Sequence, residues 1–328
     1  MELSDAEVSI VTVLYAFTML AAIVGNSFLI FIVWKKPEVR SLTSSMFVNM
    51  AIADLLVALF MMPVSILSVH TENKWKVSGL PGDIICRSFV LISSATTLAS
   101  ILCLVFMAID KYSAIVCPLS VHSVWFRKAK FATPLIWVMS IALMAIMPVV
   151  YELDYEYCEI DPDVLGQKLT LLGLSVYMFF ITYIVPLAII FPLYAKAASK
   201  LWFNEALGNH LIEEQQHRQL VTRMKVLRML VIIVVVFAIC RIPAQGLYLF
   251  WVGTAFRENL PEIVLYLGFW LADANSAINP WLYIALSTKI RLAFNRMVTV
   301  RKSHPAFRKS TQRKSHSTKA TTFQETRV

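Results

Sequence analysis

The sequence predicts an all-α membrane protein, a bundle of seven transmembrane helices followed by a short amphipathic eighth helix. Three observations carry that expectation. The 328 residues are 58% hydrophobic and only 16% charged, whereas soluble domains carry about a quarter of their residues as charges. Seven apolar runs of membrane-spanning length follow one another at 8–34, 46–69, 86–116, 132–150, 169–194, 226–250 and 261–286. The charges between those runs are sorted by side, as a polytopic membrane protein requires.

The elements can be justified in order. Residues 1–7 are a short outer segment whose acids (Glu2, Asp5, Glu7) exclude the basic start of a cleavable signal peptide, so the first run is expected to act as its own insertion signal. Short loops join the runs 8–286, which favours sequential antiparallel neighbours. The stretch 196–225 mixes Glu213, Glu214, Arg218 and Arg223 and is expected to extend the fifth and sixth helices beyond the membrane. Within 287–300, Ile290, Leu292, Phe294 and Met297 alternate with Lys289, Arg291 and Arg296, a pattern suited to a helix on the inner leaflet. Residues 301–328 are basic, Ser/Thr-rich and poor in large apolar side chains, which predicts disorder.

Charge sets the orientation. With the N-terminus outside, the inner segments hold 24 of the 30 Lys and Arg and six acids, and the outer segments hold five Lys and Arg and 13 acids. The net charge of +9 therefore reports positive-inside topology and gives no reason to expect nucleic-acid binding. Of the five cysteines, Cys103, Cys117 and Cys240 fall within spans or at an inner edge, while Cys86 and Cys158 both fall on the outer side and are the pair that can readily form a disulfide. No Asn-x-Ser/Thr glycosylation acceptor occurs.

The spans also carry polar residues that lipid disfavours: Asn26, Asp54, Ser100, Asp110, Arg241, Asp273, Asn275, Asn279 and Tyr283, with Pro186, Pro243 and Pro280. Proline removes a helix hydrogen bond, and the freed carbonyl must find a partner inside protein, so Asn279-Pro280-Trp281-Leu282-Tyr283 marks a bent helix lining a cavity. In order and spacing these residues resemble the rhodopsin-like G-protein-coupled receptors. The resemblance runs from Gly25-Asn26 through Asn49 to Leu55, Cys86 with Cys158, Asp110-Lys111-Tyr112, Trp137, Pro186 with Tyr194, and Phe237-x-x-Cys240-x-x-Pro243 to Asn279-Pro280-x-x-Tyr283.

The resemblance implies a plasma-membrane receptor without catalytic chemistry or cofactor, whose sixth helix swings outward to admit a heterotrimeric G protein. It implies that Asp54, Ser100, Asn275 and Asn279 surround an allosteric sodium ion. Arg241, however, stands where the family usually has Trp, and its guanidinium could pair with Asp54 or Asp273 and stand in for that ion. Lys111 replaces the family's usual Arg, keeping charge but losing the planar fork. Arg223 occupies the place where some members carry an acid, and like charges cannot latch, so a weak inactive-state restraint is expected. The coupling and switch residues implied are Asp110, Lys111, Tyr112, Leu119, Tyr194, Arg223, Phe237, Pro243, Asn279, Pro280 and Tyr283.

The implied ligand pocket is lined by Ser93, Thr97, Met178, Thr182, Arg241, Gln245, Tyr248, Phe269 and Asp273, a mixed surface with few charges. No Lys lies at mid-membrane depth to form a retinal Schiff base, and Ser93 stands where amine receptors place an Asp. Above the pocket, 152–163 concentrates six acids, a mouth that attracts cations. The fifth helix and Trp75 look similar to neuropeptide receptors, so a basic, amidated peptide leads over a small amine or a lipid. Arrestin and kinases are implied as partners, and Ser303, Ser310 and Ser315, each after a basic residue, resemble sites for basophilic kinases. The end Glu325-Thr326-Arg327-Val328 suits a PDZ domain through Thr326 and Val328. A transporter relaying charge through Asp54, Arg241 and Asp273 is the competing class; it predicts internal repeats, which the sequence lacks.

Overall fold

A computed structural model describes residues 3–39, 41–117, 129–161, 167–208, 214–252 and 261–300, leaving out the side chains of 38, 167–171, 204–208, 214–217, 248, 250–252 and 297–300. The described chain forms eight principal helices and one β-hairpin. In order these are α1 (Asp5–Lys35), α2 (Leu42–His70), α3 (Gly79–Val116) and α4 (Ala129–Val150), then β1 (Tyr151–Asp154) and β2 (Tyr157–Ile160). Next come α5, made of Gln167–Phe179, Phe180–Ile184 and Val185–Gly208, then α6 (Glu214–Val252), α7 (Glu262–Leu286) and α8 (Thr288–Val300).

Helices α1 to α6 each contain a segment long and apolar enough to cross a membrane. Helix α7 has 25 residues, about 37 Å at helical rise, enough to span a core of about 30 Å. Its composition is more polar because Asn275, Ser276 and Asn279 sit on it, and all three are buried inside the bundle. It packs chiefly against α6 and α1, while α3 is the central strut, touching α2, α4 and α5.

Local chemistry explains the helix ends. Ser4 caps α1 reciprocally: its hydroxyl accepts from the Glu7 N–H, and the Glu7 carboxylate accepts from the Ser4 N–H at 2.9 Å. Ser41 caps α2 by accepting from the Ser44 N–H at 3.1 Å. Two helices contain a π turn, Val57–Met61 in α2 and Phe180–Ile184 in α5, and each lies immediately ahead of a proline, Pro63 and Pro186. A proline cannot donate to the carbonyl one turn back and its ring crowds it, so a widened turn relieves the clash.

The stretch after α4 departs from the all-helical expectation. Tyr151-Glu152-Leu153-Asp154 pairs antiparallel with Tyr157-Cys158-Glu159-Ile160, Leu153 opposite Cys158 and Glu152 opposite Glu159. Apolar and acidic residues alternate with a period of two, so one face packs down and the other meets solvent. Tyr155 closes the turn with a left-handed backbone, φ 50°. The third helix also starts seven residues earlier than its apolar run, after Ser78, because Asp83 and Arg87 join its first turns to the hairpin. Helices α5 and α6 extend to Gly208 and from Glu214, as the mixed charges of 196–225 led one to expect.

Helix α8 follows the predicted amphipathic pattern. Ile290 and Ala293 are buried, Phe294 meets Phe28 edge-on at 5.2 Å, and Lys289, Arg291 and Arg296 are exposed. The tail beyond Val300, with Thr326, Val328 and the basic-Ser sites, lies outside the described residues, as does Leu119.

Candidate functional site

The outer layer is a braced mouth. A disulfide joins Cys86 at the top of α3 to Cys158 on β2, with Cα atoms 5.7 Å apart. Asp83 reinforces it, accepting from the Leu153 N–H at 3.1 Å and from Arg87 Nε at 2.8 Å, while Arg87 also donates to the Pro148 carbonyl at 2.8 Å. The loop between α2 and α3 joins the hairpin tip, with the Trp75 N–H donating to the Glu156 carbonyl at 2.6 Å. Between them opens a cleft of about 450 Å³, whose charged and aromatic walls are His70, Glu72, Lys74, Trp75, Lys76 and Glu156. It is tied to α1 by His70 and Thr12 at 3.0 Å and to α7 by Tyr266, whose hydroxyl donates to Asn73 at 3.3 Å.

Five of the six predicted loop acids are described: Glu152, Asp154, Glu156, Glu159 and Asp161, on or beside the hairpin. Burial against the protein, then repulsion from Asp161, holds the Glu152 carboxyl above the usual glutamate range.

Beneath the mouth, two of the predicted pocket residues touch. Gln245 on α6 donates through Nε2 to the Thr182 hydroxyl in the π turn of α5, at 3.1 Å, and both are buried. The Gln245 side-chain oxygen is buried and accepts no hydrogen bond among the described residues. Ser93 and Thr97 lie half-buried one turn apart on α3, and Met178, Phe269 and Asp273 are half-buried on α5 and α7. Tyr248 falls on α6, with its side chain outside the description.

Deeper in, the polar residues converge on Asp54, 2% exposed on α2. Its carboxylate accepts from Asn279 Nδ2 at 3.1 Å and from the Ser100 hydroxyl at 3.4 Å, and Ser276 also bonds to it. Asn26 spans α1 and α7 by donating to the Ser276 carbonyl at 3.0 Å. The side-chain oxygens of Asn275 and Asn279 are buried without a donor among the described residues. Carboxylate, hydroxyl and two free amide oxygens fit a small hard cation in donor chemistry. Arg241 adds a positive charge on α6, its guanidinium 5.7 Å from the centre of the Phe237 ring and its Nε buried.

The end of the bundle away from the hairpin holds the residues expected to form the switch. Lys111 binds the adjacent Asp110 at 2.6 Å. Arg223 is exposed on α6, Tyr112 is half-buried, and Tyr194 is buried on α5 within electrostatic reach of Asp110. Tyr283 is fully buried against Phe47, and Pro280 packs against Gly25 so closely that a Cβ there would stand 2.6 Å from the proline ring.

Ser276 and Asp83 escaped the reading of the sequence. A serine in an apolar run carries no distinctive signal. Asp83 lies ahead of the apolar run, where only its spacing of four from Arg87 hinted at a pair.

This arrangement, seven helices around a buried acid with a disulfide to the hairpin and a proline within the last span, is that of a seven-helix receptor. Residues 25–283 match the 7 transmembrane receptor (rhodopsin family), and the chain belongs to that family. It is a multi-pass G-protein-coupled receptor and not an enzyme. Among curated proteins it is similar to the allatostatin-A receptor of Bombyx mori, 29% identical over 90% of this chain and 82% of that one. It is also similar to the QRFP-like peptide receptor of Branchiostoma floridae, 26% identical over 92% and 80% of the two chains. The RYamide receptor of Drosophila melanogaster is 26% identical over 87% of this chain and 62% of its own length.

Proposed function

We propose that the chain is a receptor for an extracellular basic peptide, amidated at its end, and that binding opens its inner face to a heterotrimeric G protein. The observation that carries the ligand class is the rigid acidic hairpin. Glu152, Asp154, Glu156, Glu159 and Asp161 stand on or beside a scaffold braced by the Cys86–Cys158 bond and by Asp83. Fixed negative charge at the mouth speeds the arrival of a cationic ligand, and Asp273 offers a second anion deeper in. The cleft between His70 and Glu156 gives an extended peptide more wall than a small amine uses. The three similar receptors named above bear peptide names, which supports the same class.

The positive-inside charge supports an outer N-terminus and an inner C-terminus. Ligand binding shifts the balance between two packings, and the ligand acts through its higher affinity for the open one. Lys111, Tyr112, Leu119 and the inner end of α6 near Arg223 form the G-protein contact, with Tyr194, Phe237, Pro243 and Tyr283 as the moving parts. Arrestin and kinases acting on the tail, and a PDZ domain on Thr326 and Val328, complete the partners.

The test is a screen of amidated basic peptides against cells expressing the receptor with promiscuous G-protein reporters. A basic peptide should activate, and replacing Glu152, Asp154 and Glu159 together by Gln should weaken it at least tenfold, mostly through slower association. Activation by an amine or lipid alone, untouched by those replacements, would overturn the reading.

A further inference from the structure

At the end of the bundle away from the hairpin, two basic segments come together. Helix α1 finishes in Trp34-Lys35 and is followed by Lys36, while Ser287-Thr288-Lys289-Ile290-Arg291 opens α8. The two helices are docked: Phe28 meets Phe294 edge-on at 5.2 Å, and Leu29, Ile32, Val33, Val39 and Ile290 share one buried core. The short turn Pro37–Val39 after Lys36 also touches α8. Around this junction Lys35, Lys289, Arg291 and Arg296 are exposed and Lys36 is half-buried. Residues 31–37 and 287–296 contain no acid to balance these five cations. Like charges gathered in this way repel one another unless an anion joins them. The Lys35 ammonium stands 4.6 Å from the centre of the Trp34 ring. Phe31, Trp34 and Leu292 are exposed in the same two segments, so apolar surface accompanies the charge.

We propose that this corner between α1 and α8 binds an anionic lipid whose headgroup carries more than one phosphate, its acyl chains lying along Phe31, Trp34 and Leu292. Cations supplied by two docked helices suit a compact multiple charge, as a phosphorylated headgroup presents. Arg291 gives one donor to the Ala285 carbonyl at 3.1 Å, and a guanidinium has five donors in a fork that matches phosphate. The chain's own tail is the wrong occupant: after Val300 it holds eight Lys and Arg and a single acid, Glu325. A second copy would bring the same sign to the same place. A soluble phosphate would satisfy the charges and leave the apolar side chains unused. The consequence is positional. Helix α8 follows α7 directly through Ser287, so a bound lipid sets the level at which the last span leaves the membrane.

The deciding experiment is native mass spectrometry of the purified full-length chain in detergent micelles, without peptide. The probes are phosphatidylinositol bisphosphate, phosphatidylcholine and water-soluble inositol trisphosphate. The unmodified chain should hold the bisphosphate lipid about tenfold more tightly than phosphatidylcholine, and the soluble headgroup should not displace it at equal concentration. Replacing Lys35, Lys36 and Lys289 together by Gln should weaken retention about tenfold. Replacing Lys196, Lys200 and Lys225, exposed cations on α5 and α6, by Gln should change it by less than about twofold. Equal losses in the two triple variants overturn the proposal, because diffuse positive charge then suffices. So does a soluble headgroup that binds as tightly as the lipid, or a chain that holds both lipids equally. Should the first triple variant fail to fold, Lys36→Gln and Lys289→Gln are tested singly. Each should weaken retention about threefold, and full retention in both overturns the site. Because no peptide is added, a failed peptide screen leaves this result standing.

Discussion

Tyr283 lies flat against Phe47, ring centroids 4.1 Å apart and planes 15° from parallel, and its hydroxyl donates to the Met50 sulfur at 3.4 Å. One stacked pair thus fastens the C-terminal end of α7 to α2, close to Pro280. An aromatic pair of this kind is worth about 1 kcal/mol beyond its buried area. Phe47→Leu keeps most of the volume and loses the stacking, so it should release Tyr283 and raise basal nucleotide exchange about fivefold. Exchange measured on membranes without ligand checks this, and an unchanged basal rate would remove the pair from the switch.

Gly25 makes a different kind of contact. A methyl group on it would stand 2.6 Å from Pro280 Cγ and 3.2 Å from the Trp281 indole nitrogen. The proline ring cannot rotate away, so α1 and α7 must part. Gly25→Ala should cost about 1–3 kcal/mol and lower the melting temperature by several degrees. A melting curve superimposable on that of the unmodified chain would contradict the close approach.

The Lys111–Asp110 pair lies within one helix. Arg223 is exposed there and carries the same sign as Lys111. Arg223→Glu gives Lys111 a partner of opposite sign on α6. A surface pair of this kind is worth about 0.2–1 kcal/mol, so unliganded signalling should fall by roughly twofold or more, with less effect at high salt. Second-messenger output at graded expression levels is the readout; equal output from both chains would mean that Arg223 does not face Lys111 in the closed state.

The raised Glu152 carboxyl gives a pH dependence with a definite sign. A carboxyl whose folded pKa lies above its unfolded value binds more protons in the folded state. Its effect on stability is therefore favourable at low pH and is lost as pH rises through the shifted pKa. Function runs the other way: on acidification Glu152 is neutralised earlier than an ordinary glutamate, and the mouth weakens for cations. Association of a basic peptide should slow as pH falls toward the carboxylate range, with the first part of that change missing in Glu152→Gln. Parallel profiles for the two chains would count against the assignment.

The spans were legible because a membrane helix announces itself by averaging over about twenty residues. Their ends were not, since averaging blurs them: α3 begins at Gly79, seven residues ahead of its apolar run. The hairpin hid behind its acids, because 151–160 reads as a solvated loop until Leu153 is seen opposite Cys158. The resemblance grouped Asp54, Ser100 and Asn279, whose side chains are in contact. It named Thr182 and Gln245 as pocket residues without their mutual bond, which depends on how the turn ahead of Pro186 aims Thr182. Ser276 stayed invisible because a single hydroxyl on a buried helix usually bonds only to its own backbone.

The widened turns at Val57–Met61 and Phe180–Ile184 have a bookkeeping consequence for anyone comparing receptors. Each inserts one residue into the winding, so the side chains beyond it, on the hairpin side, are rotated by about 100° relative to a straight helix carried through from the opposite half. Position-by-position transfer from a relative lacking either insertion will point at the neighbour of the intended residue. Specificity maps drawn that way for the upper halves of α2 and α5 will be out of phase, while those for the lower halves remain true.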